Sequence, residues 1–213
     1  MTTPATTVVS FVRHAHSPYI PDAERSRGLS RRGRRDAARI TAHLADVADV
    51  VATSPYKRAR ATVEGVSDAA GVPLVVDEDL RERELAGEHV EDFDTAVEHL
   101  WANPTASHPG GESHSEAQAR GVAAVDRLVE AYPDRHVAVG THGTLMALVF
   151  NAYDPRYGYE FWDGLSMPDV YEVTFVDDNP LSIVRTWVPP DERSDVGDRD
   201  PTAGVGDADG SDF

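Results

Sequence analysis

The chain of 213 residues has no cysteine, a single lysine (Lys57) and no apolar run long enough to cross a membrane. Without cysteine there can be no disulfide, thiol nucleophile or cysteine-ligated zinc site. A transmembrane helix needs about 18 or more consecutive apolar residues, so we expect no membrane span. The first residues also lack the basic and apolar regions of a secretory signal, and we expect a cytoplasmic protein. The length is that of one domain with a substantial core.

Acidic side chains greatly outnumber basic ones. Asp and Glu total 37 against 20 for Lys and Arg, which gives a formal net charge of −17. An acidic, lysine-poor surface repels polyanions, so we expect neither nucleic acid nor an anionic membrane as a partner. The composition resembles that of proteins from salt-loving archaea, in which salt screens self-repulsion within about 3 Å at 1 M. An acidic protein without that adaptation is the alternative interpretation.

Residues 13–60 reverse this charge balance. They contain eleven basic side chains against five acidic ones, so this part of the chain is where an anion would be attracted. We expect most of the arginines in residues 31–39 to lie on the solvated face of a helix. Arg25 and Arg27, in a polar loop, could instead bind part of a substrate.

Strand-like and helix-like segments alternate along the chain. This order predicts an α/β fold, a three-layer sandwich with a mostly parallel central sheet and helices on both faces. We predict one domain over residues 1–188, and an acidic tail over 189–213 that is too poor in apolar side chains to fold. The predicted strands are 8–12, 50–53, 72–76 and 137–141, and residues 170–176 and 181–188 are predicted to form a terminal hairpin. The predicted helices are 30–44, 55–70, 91–102 and 143–152. A further predicted helix begins at a capping box of Ser113 and Glu116.

Two histidines come at the ends of predicted strands. Arg13-His14 follows the first strand, and His142 follows the strand over 137–141. Ligands of open α/β sheets bind at this carboxyl edge. An imidazole can be a nucleophile or a proton donor near neutral pH, and a guanidinium offers a planar set of donors to phosphate. The pattern indicates phosphoryl chemistry on histidine, with a solvated histidine–arginine pair as the alternative.

Two further segments carry candidate residues. Ser54 precedes a predicted helix as its expected N-cap, and Arg58 lies about one turn inside. A cation is unfavourable at a helix N-terminus, so anion binding explains Arg58 better than the helix dipole does, and an exposed helical arginine is the alternative. Further along, Glu82 or Glu84 could be a general acid, or both could form surface ion pairs with the arginines beside them.

Five short motifs occur in a fixed order along the chain. They are Arg-His-x-x-Ser from Arg13, Leu-Ser-x-x-Gly from Leu29, Ser-Pro-x-x-Arg-Ala-x-x-Thr from Ser54, Leu-x-Glu-Arg from Leu80 and Thr-His-Gly from Thr141. Together they resemble the histidine phosphatase superfamily, with its phosphoglycerate-mutase-like fold, over roughly residues 7–188.

The resemblance implies a role for each of five residues. His14 would be the nucleophile that becomes a phosphohistidine. Arg13, Arg58 and His142 would surround the phosphoryl group, and Glu82 would protonate the leaving oxygen.

The chain also departs from the family pattern. Ala15 stands where the family usually has Gly, and His16 stands where it has Glu or Gln; His16 could help bind substrate or be an ordinary polar loop residue. Ile20 replaces an Asn of the mutases, and residues 86–118 contain no Lys or Arg that could hold a substrate carboxylate. These differences favour a phosphatase over a mutase.

The sequence therefore predicts a metal-independent phosphatase that hydrolyses small phosphomonoesters through a phosphohistidine on His14. We expect no cofactor and no metal site, because no third ligand at a suitable spacing follows His14 and His16. The alternatives are phosphoryl transfer of the phosphoglycerate mutase type and a non-catalytic protein of the same fold that binds a phosphorylated ligand.

Overall fold

The computed structural model describes residues 4–87 and 92–187, so the predicted acidic tail over 189–213 lies outside the described residues. The strands are β1 (Thr6–Arg13), β2 (Val50–Thr53), β3 (Leu74–Val76), β4 (His136–Thr141), β5 (Asp169–Val176) and β6 (Asn179–Arg185). The helices are α1 (Arg31–Leu44), α2 (Lys57–Ala70), α3 (Phe93–Ala102), α4 (His114–Ala131), α5 (Gly143–Tyr153) and α6 (Tyr159–Asp163), with a 3-10 helix over Glu78–Leu80.

The six strands form one sheet in the order β3-β2-β4-β1-β5-β6. The pairs β2–β3, β2–β4 and β1–β4 are parallel, while β5 and β6 join the sheet as an antiparallel hairpin beside β1. Each parallel pair needs a crossover, which the helices supply. The predicted α/β fold with a mostly parallel sheet is confirmed.

Side chains along each strand point alternately to the two faces of the sheet, and this divides the interior into two hydrophobic cores. In β1, Val9 and Phe11 pack with α4 and α5, whereas Val12 packs on the opposite side with α1 and α2. Successive strand residues point to opposite faces, so a strand buried on both sides is apolar throughout. The sheet therefore lies between two helical layers.

The helix starts show which local signals were decisive. Ser30 caps α1 by accepting a hydrogen bond from the Gly33 N–H at 3.0 Å. The predicted capping box of Ser113 and Glu116 at the start of α4 is also present. Helix α2, by contrast, begins at Lys57 with Tyr56 at the N-cap position, so the assignment of Ser54 as N-cap was wrong.

The short helix α6 is an element that the sequence did not predict. Its five residues are too few for a periodic apolar pattern to be recognised. Within residues 4–87 and 92–187, none of the helices is long and apolar enough to span a membrane.

Candidate active site

Three neighbouring strands bring the predicted residues to one edge of the sheet. Thr141 pairs with Arg13 across β4 and β1, and the adjacent β4–β2 register aligns Gly140 with Thr53. The residues that directly follow β1, β2 and β4 are His14, Ser54 and His142, respectively. Backbone hydrogen bonds extend the pairing past the strand ends, from His14 N to Thr141 O at 3.0 Å and from Ser54 N to Gly140 O at 2.8 Å.

His14 is held with an unprotonated nitrogen directed at Arg58. Its Nδ1 lies 2.9 Å from the Ala15 carbonyl oxygen, which can only accept, so Nδ1 carries the proton. The free Nε2 accepts a hydrogen bond from Arg58 Nε at 3.1 Å. Burial, and after it the charge of Arg58, lowers the pKa of His14 well below 6.5. The ring is therefore neutral at pH 7, as a nitrogen nucleophile must be.

Arg58 is almost completely buried, with 1% of its surface exposed. Besides its contact with His14, it forms an ion pair with Glu24 across 3.0 Å between Nη2 and Oε2. Glu24 also accepts a hydrogen bond from Arg27 Nε at 3.0 Å, so one carboxylate joins two arginines beside His14. Burial is the main cause that lowers the pKa of Arg58, and Arg27 adds to it. Arg58 is thus part of the buried cluster around His14 and not an exposed helical arginine.

Arg13 lies at the end of β1, where it donates from Nη1 to the Leu165 carbonyl oxygen at 2.7 Å. Its Nε is buried and has no partner among the described residues. Gly143 makes room for this guanidinium, because a Cβ at that position would lie 2.9 Å from Arg13 Nε. A buried donor without a partner costs about 1–3 kcal/mol, which a bound anion would offset.

His142 faces His14 from the adjacent strand end, with 5.3 Å between the ring centroids. The side chain is fully buried, its Nε2 lies 2.8 Å from Ser54 Oγ, and its Nδ1 has no partner within the described ranges. Burial foremost, then the proximity of the titratable His14 ring and the positive charge of Arg58, lowers the pKa of His142 well below 6.5. Two neutral imidazoles and two guanidiniums therefore meet at one place.

Glu82 lies against the N-terminus of α5. Its Oε1 accepts from the backbone N–H groups of Arg83 at 2.9 Å and Leu145 at 3.1 Å, and its Oε2 accepts from Thr144 N–H at 3.3 Å. Thr144 and Leu145 lie in the first turn of α5, whose N–H groups have no partner within the helix, so these bonds hold the Glu82 side chain in place. In the described part of the chain neither Glu82 nor Glu84 has a basic group within ion-pair distance. The surface ion-pair interpretation was therefore wrong for both.

Thr62 is a site residue to which the sequence gave no role, although it closes the motif that contains Arg58. Its hydroxyl accepts from the Ala15 N–H at 3.0 Å and donates to the Arg58 carbonyl oxygen at 2.8 Å. It therefore fixes the loop after His14 to α2. Ala15 is fully buried and its φ is not in the left-handed region, so alanine fits without strain where the family has glycine.

His16 is exposed, and its Nδ1 lies 2.8 Å from the Oγ of Ser30, the cap of α1. The backbone of this loop leaves no space for a side chain at Gly33, whose N–H donates to Ser30, because a Cβ there would lie 2.1 Å from the His16 carbonyl oxygen. This contact favours the polar-loop interpretation of His16 over substrate binding.

Two loop arginines have different surroundings. Arg25 forms a bidentate pair with Glu78 at 2.8 Å and lies over the Tyr56 ring at 5.3 Å. Arg27 is largely buried, and its Nη1 donates to the Ser17 carbonyl oxygen at 2.9 Å. Of the two, Arg27 is the one that shares Glu24 with Arg58.

Arg83 is a further cation that sequence reasoning missed, because an arginine between two glutamates looks like a surface ion pair. It is 6% exposed, and no ion pair involving it occurs within residues 4–87 and 92–187. Burial is the main cause that lowers the pKa of Arg83, and nearby Glu82 has the largest effect in the opposite direction.

Within residues 4–87 and 92–187 there is no group of three or more His, Asp or Glu side chains that could hold a metal ion.

Comparisons with known proteins identify the family of the chain. A family model of the histidine phosphatase superfamily (branch 1) matches residues 9–180. The uncharacterized phosphatase PhoE of Bacillus subtilis (strain 168) is 25% identical over 143 residues, which are 64% of this chain and 72% of that protein.

Solved structures show the same fold. A mycobacterial glucosyl-3-phosphoglycerate phosphatase superposes with a TM-score of 0.69 at 21% identity, over 85% of this chain and 97% of the other. Phosphoglycerate mutase from Bacillus anthracis str. Sterne gives a TM-score of 0.65 at 16% identity, over 84% and 92% of the two chains. With the family model spanning most of its length, the chain belongs to the histidine phosphatase superfamily, branch 1.

Proposed function

We propose that this protein is a metal-independent phosphatase that hydrolyses small phosphomonoesters through a phosphohistidine on His14. The observation that carries the proposal is the state of His14 Nε2. This nitrogen is unprotonated and belongs to a buried neutral ring, and the one hydrogen bond it accepts comes from a guanidinium. The nitrogen has a single lone pair, so Arg58 must release it and turn its guanidinium to the phosphoryl oxygens before His14 attacks phosphorus in line.

In the first step, His14 Nε2 attacks phosphorus and the bond from phosphorus to the ester oxygen breaks. Glu82, which carries a proton when this step begins, gives that proton to the leaving alkoxide, and the alcohol departs. In the second step, water attacks the phosphohistidine and Glu82 accepts its proton. The phosphorus–nitrogen bond breaks, inorganic phosphate leaves, and His14 is regenerated.

Charge developing on the phosphoryl oxygens would be stabilised by Arg13, Arg58 and His142. Preorganised donors in a buried site act without the reorganisation that water requires. Arg13 Nε and His142 Nδ1 support this role, because the described residues leave both without a partner. Glu24 now neutralises Arg58 but is about half exposed, so a phosphoryl group can displace its carboxylate toward solvent.

The substrate class we propose is a small phosphorylated molecule, bound without a cofactor, in the cytoplasm. The acidic surface argues against nucleic acid as a partner. Relatives with phosphatase names support hydrolysis as the reaction. A mutase, the alternative, would have to hold the released monoester. Residues 86–118 contain no Lys or Arg for that purpose.

The test is hydrolysis of p-nitrophenyl phosphate in concentrated salt, with and without EDTA, together with trapping of the phosphoenzyme. We expect turnover that EDTA leaves unchanged, and an acid-labile, base-stable label that the His14→Ala variant has lost. His16→Ala is the matched control and should keep the label, because His16 contacts the cap of α1. A label of this type that persists in His14→Ala would refute the assignment of the nucleophile.

A further inference from the structure

Ser54 touches the second histidine of the site and has no place in the steps above. Its Oγ lies 2.8 Å from His142 Nε2, and both side chains are fully buried. The same oxygen accepts a hydrogen bond from the Tyr56 N–H at 3.1 Å. The serine is therefore bound on two sides, one of them a catalytic imidazole.

A count of protons decides the direction of this contact. A hydroxyl has one proton and two lone pairs, and a neutral imidazole has one protonated and one unprotonated nitrogen. If Ser54 donates to His142 Nε2, the ring proton lies on Nδ1, and this N–H is the one polar atom of the pair that lacks a partner among the described residues. If Nε2 donates instead, two atoms lack a partner there, the Ser54 proton and the Nδ1 lone pair. Each unpaired buried polar group costs about 1–3 kcal/mol, so the first arrangement, which leaves fewer of them, is favoured.

We propose that Ser54 is a positioning residue that holds His142 as the neutral tautomer protonated on Nδ1, so that this ring presents an N–H donor to a phosphoryl oxygen. Only the contact of this N–H with a phosphoryl oxygen rests on the proposed function; the tautomer of His142 does not. His142 Nδ1 is the ring atom that the described residues leave unpartnered. With the opposite tautomer, that atom would turn a lone pair toward an anion and repel it. The low pKa of His142, caused mainly by burial, excludes the doubly protonated ring that would supply a donor at either nitrogen.

The direct test is nitrogen NMR of the full-length protein labelled with ¹⁵N-histidine, at neutral pH without ligand. The chemical shifts of the two ring nitrogens show which one carries the proton, and a His142→Asn variant assigns the signals. We expect protonated Nδ1 and unprotonated Nε2 in the wild type. A wild-type His142 protonated on Nε2 would overturn the proposal, whether or not any variant folds.

Variants then test the part played by the hydroxyl. Ser54→Ala should shift His142 toward the Nε2-protonated tautomer, and Ser54→Thr, which keeps a hydroxyl, should restore the wild-type pattern. Thr53→Val is the matched control, because the Thr53 hydroxyl is buried beside Ser54 but donates only to backbone carbonyl oxygens. Ser54→Ala spectra identical to the wild type would show that some other group sets the tautomer.

Turnover provides a separate readout. Loss of one preorganised donor costs about 10²–10³-fold in kcat, so Ser54→Ala should lose about 10²-fold and Ser54→Thr should recover most of it. Because the NMR result needs no substrate, the two hypotheses can fail independently. Absence of any phosphatase activity in the wild type would refute the proposed function and leave the tautomer assignment standing.

Discussion

Glu82 permits a clean substitution, because its two carboxylate oxygens have unequal roles. Oε1 accepts the two shorter hydrogen bonds, from Arg83 and Leu145, and Oε2 accepts the longest, 3.3 Å from Thr144 N–H. In Glu82→Gln the amide oxygen can take the place of Oε1 and keep the shorter pair. The amide nitrogen then faces a backbone donor, and the Thr144 N–H loses its partner. For a partly exposed site we expect a loss of about 1 kcal/mol in the free energy of unfolding, so the variant should fold.

The effect on turnover should depend on the leaving group. An amide cannot supply the proton that an alkoxide needs, and a general acid contributes about 10²–10⁴-fold when that proton is required. p-Nitrophenolate leaves without a proton, so its ester should lose far less. We therefore expect Glu82→Gln to reduce kcat/KM for an alkyl phosphate such as glycerol 3-phosphate by at least about 10²-fold more than for p-nitrophenyl phosphate.

The assay compares phosphate release from both esters by wild type, Glu82→Gln and Glu84→Gln. Glu84→Gln is the matched control, because it makes the same chemical change two residues away on an exposed side chain. It should leave both rates close to those of the wild type. Equal losses on the two esters in Glu82→Gln would contradict the reasoning and reduce Glu82 to an anchor for the start of α5. A selective loss in Glu84→Gln would transfer the role of acid to Glu84.

Four further outcomes are expected. Because burial and Arg58 lower the pKa of His14, its NMR signals should remain those of a neutral ring as the pH falls below 6.5; protonation near pH 6.5 would contradict this. The pKa of His114 is lowered to about 4, mainly by burial. Between pH 6.5 and 4 the unfolded chain therefore binds a proton that the folded chain excludes, so the free energy of unfolding decreases as the pH drops through that window. The melting temperature of His114→Phe should fall less steeply over this range than that of the wild type. With 3-phosphoglycerate and a 2,3-bisphosphoglycerate primer, release of phosphate should exceed formation of 2-phosphoglycerate; faster isomerisation would favour the mutase. The melting temperature should rise with KCl, since a net charge of −17 repels itself; a flat or falling curve would argue against adaptation to salt.

The sequence predicted those parts of the fold that depend on local patterns. Apolar runs of strand length located β1, β2 and β4, and the residues that follow them were placed correctly at the carboxyl edge of the sheet. The capping box of Ser113 and Glu116 was recognised because both halves of the pattern lie within four residues. These signals work because the atoms involved are neighbours in the chain.

The sequence failed where a distant group competes with a local one. Ser54 has the residue type and the following proline of an N-cap, but α2 begins three residues later. The Ser54 hydroxyl contacts His142, 88 positions away in the chain, as well as the Tyr56 N–H. Arg83 likewise looks like an ordinary surface residue between two glutamates, and only the tertiary fold buries it. The role of Thr62 depends on the loop after His14 reaching α2. None of these contacts has a signature within a short window of sequence.

The position of β4 constrains how the site can form during synthesis. This strand is the last of the three catalytic strands to be made, yet it lies between the other two in the sheet. A nascent chain that ends before residue 136 already contains His14 and Arg58, but β1 and β2 have no strand to join them. Parallel pairing over long sequence separations is slow, because the loop must close before the contacts form. We therefore expect recovery of activity on refolding to follow the insertion of β4 and to lag behind the formation of helix.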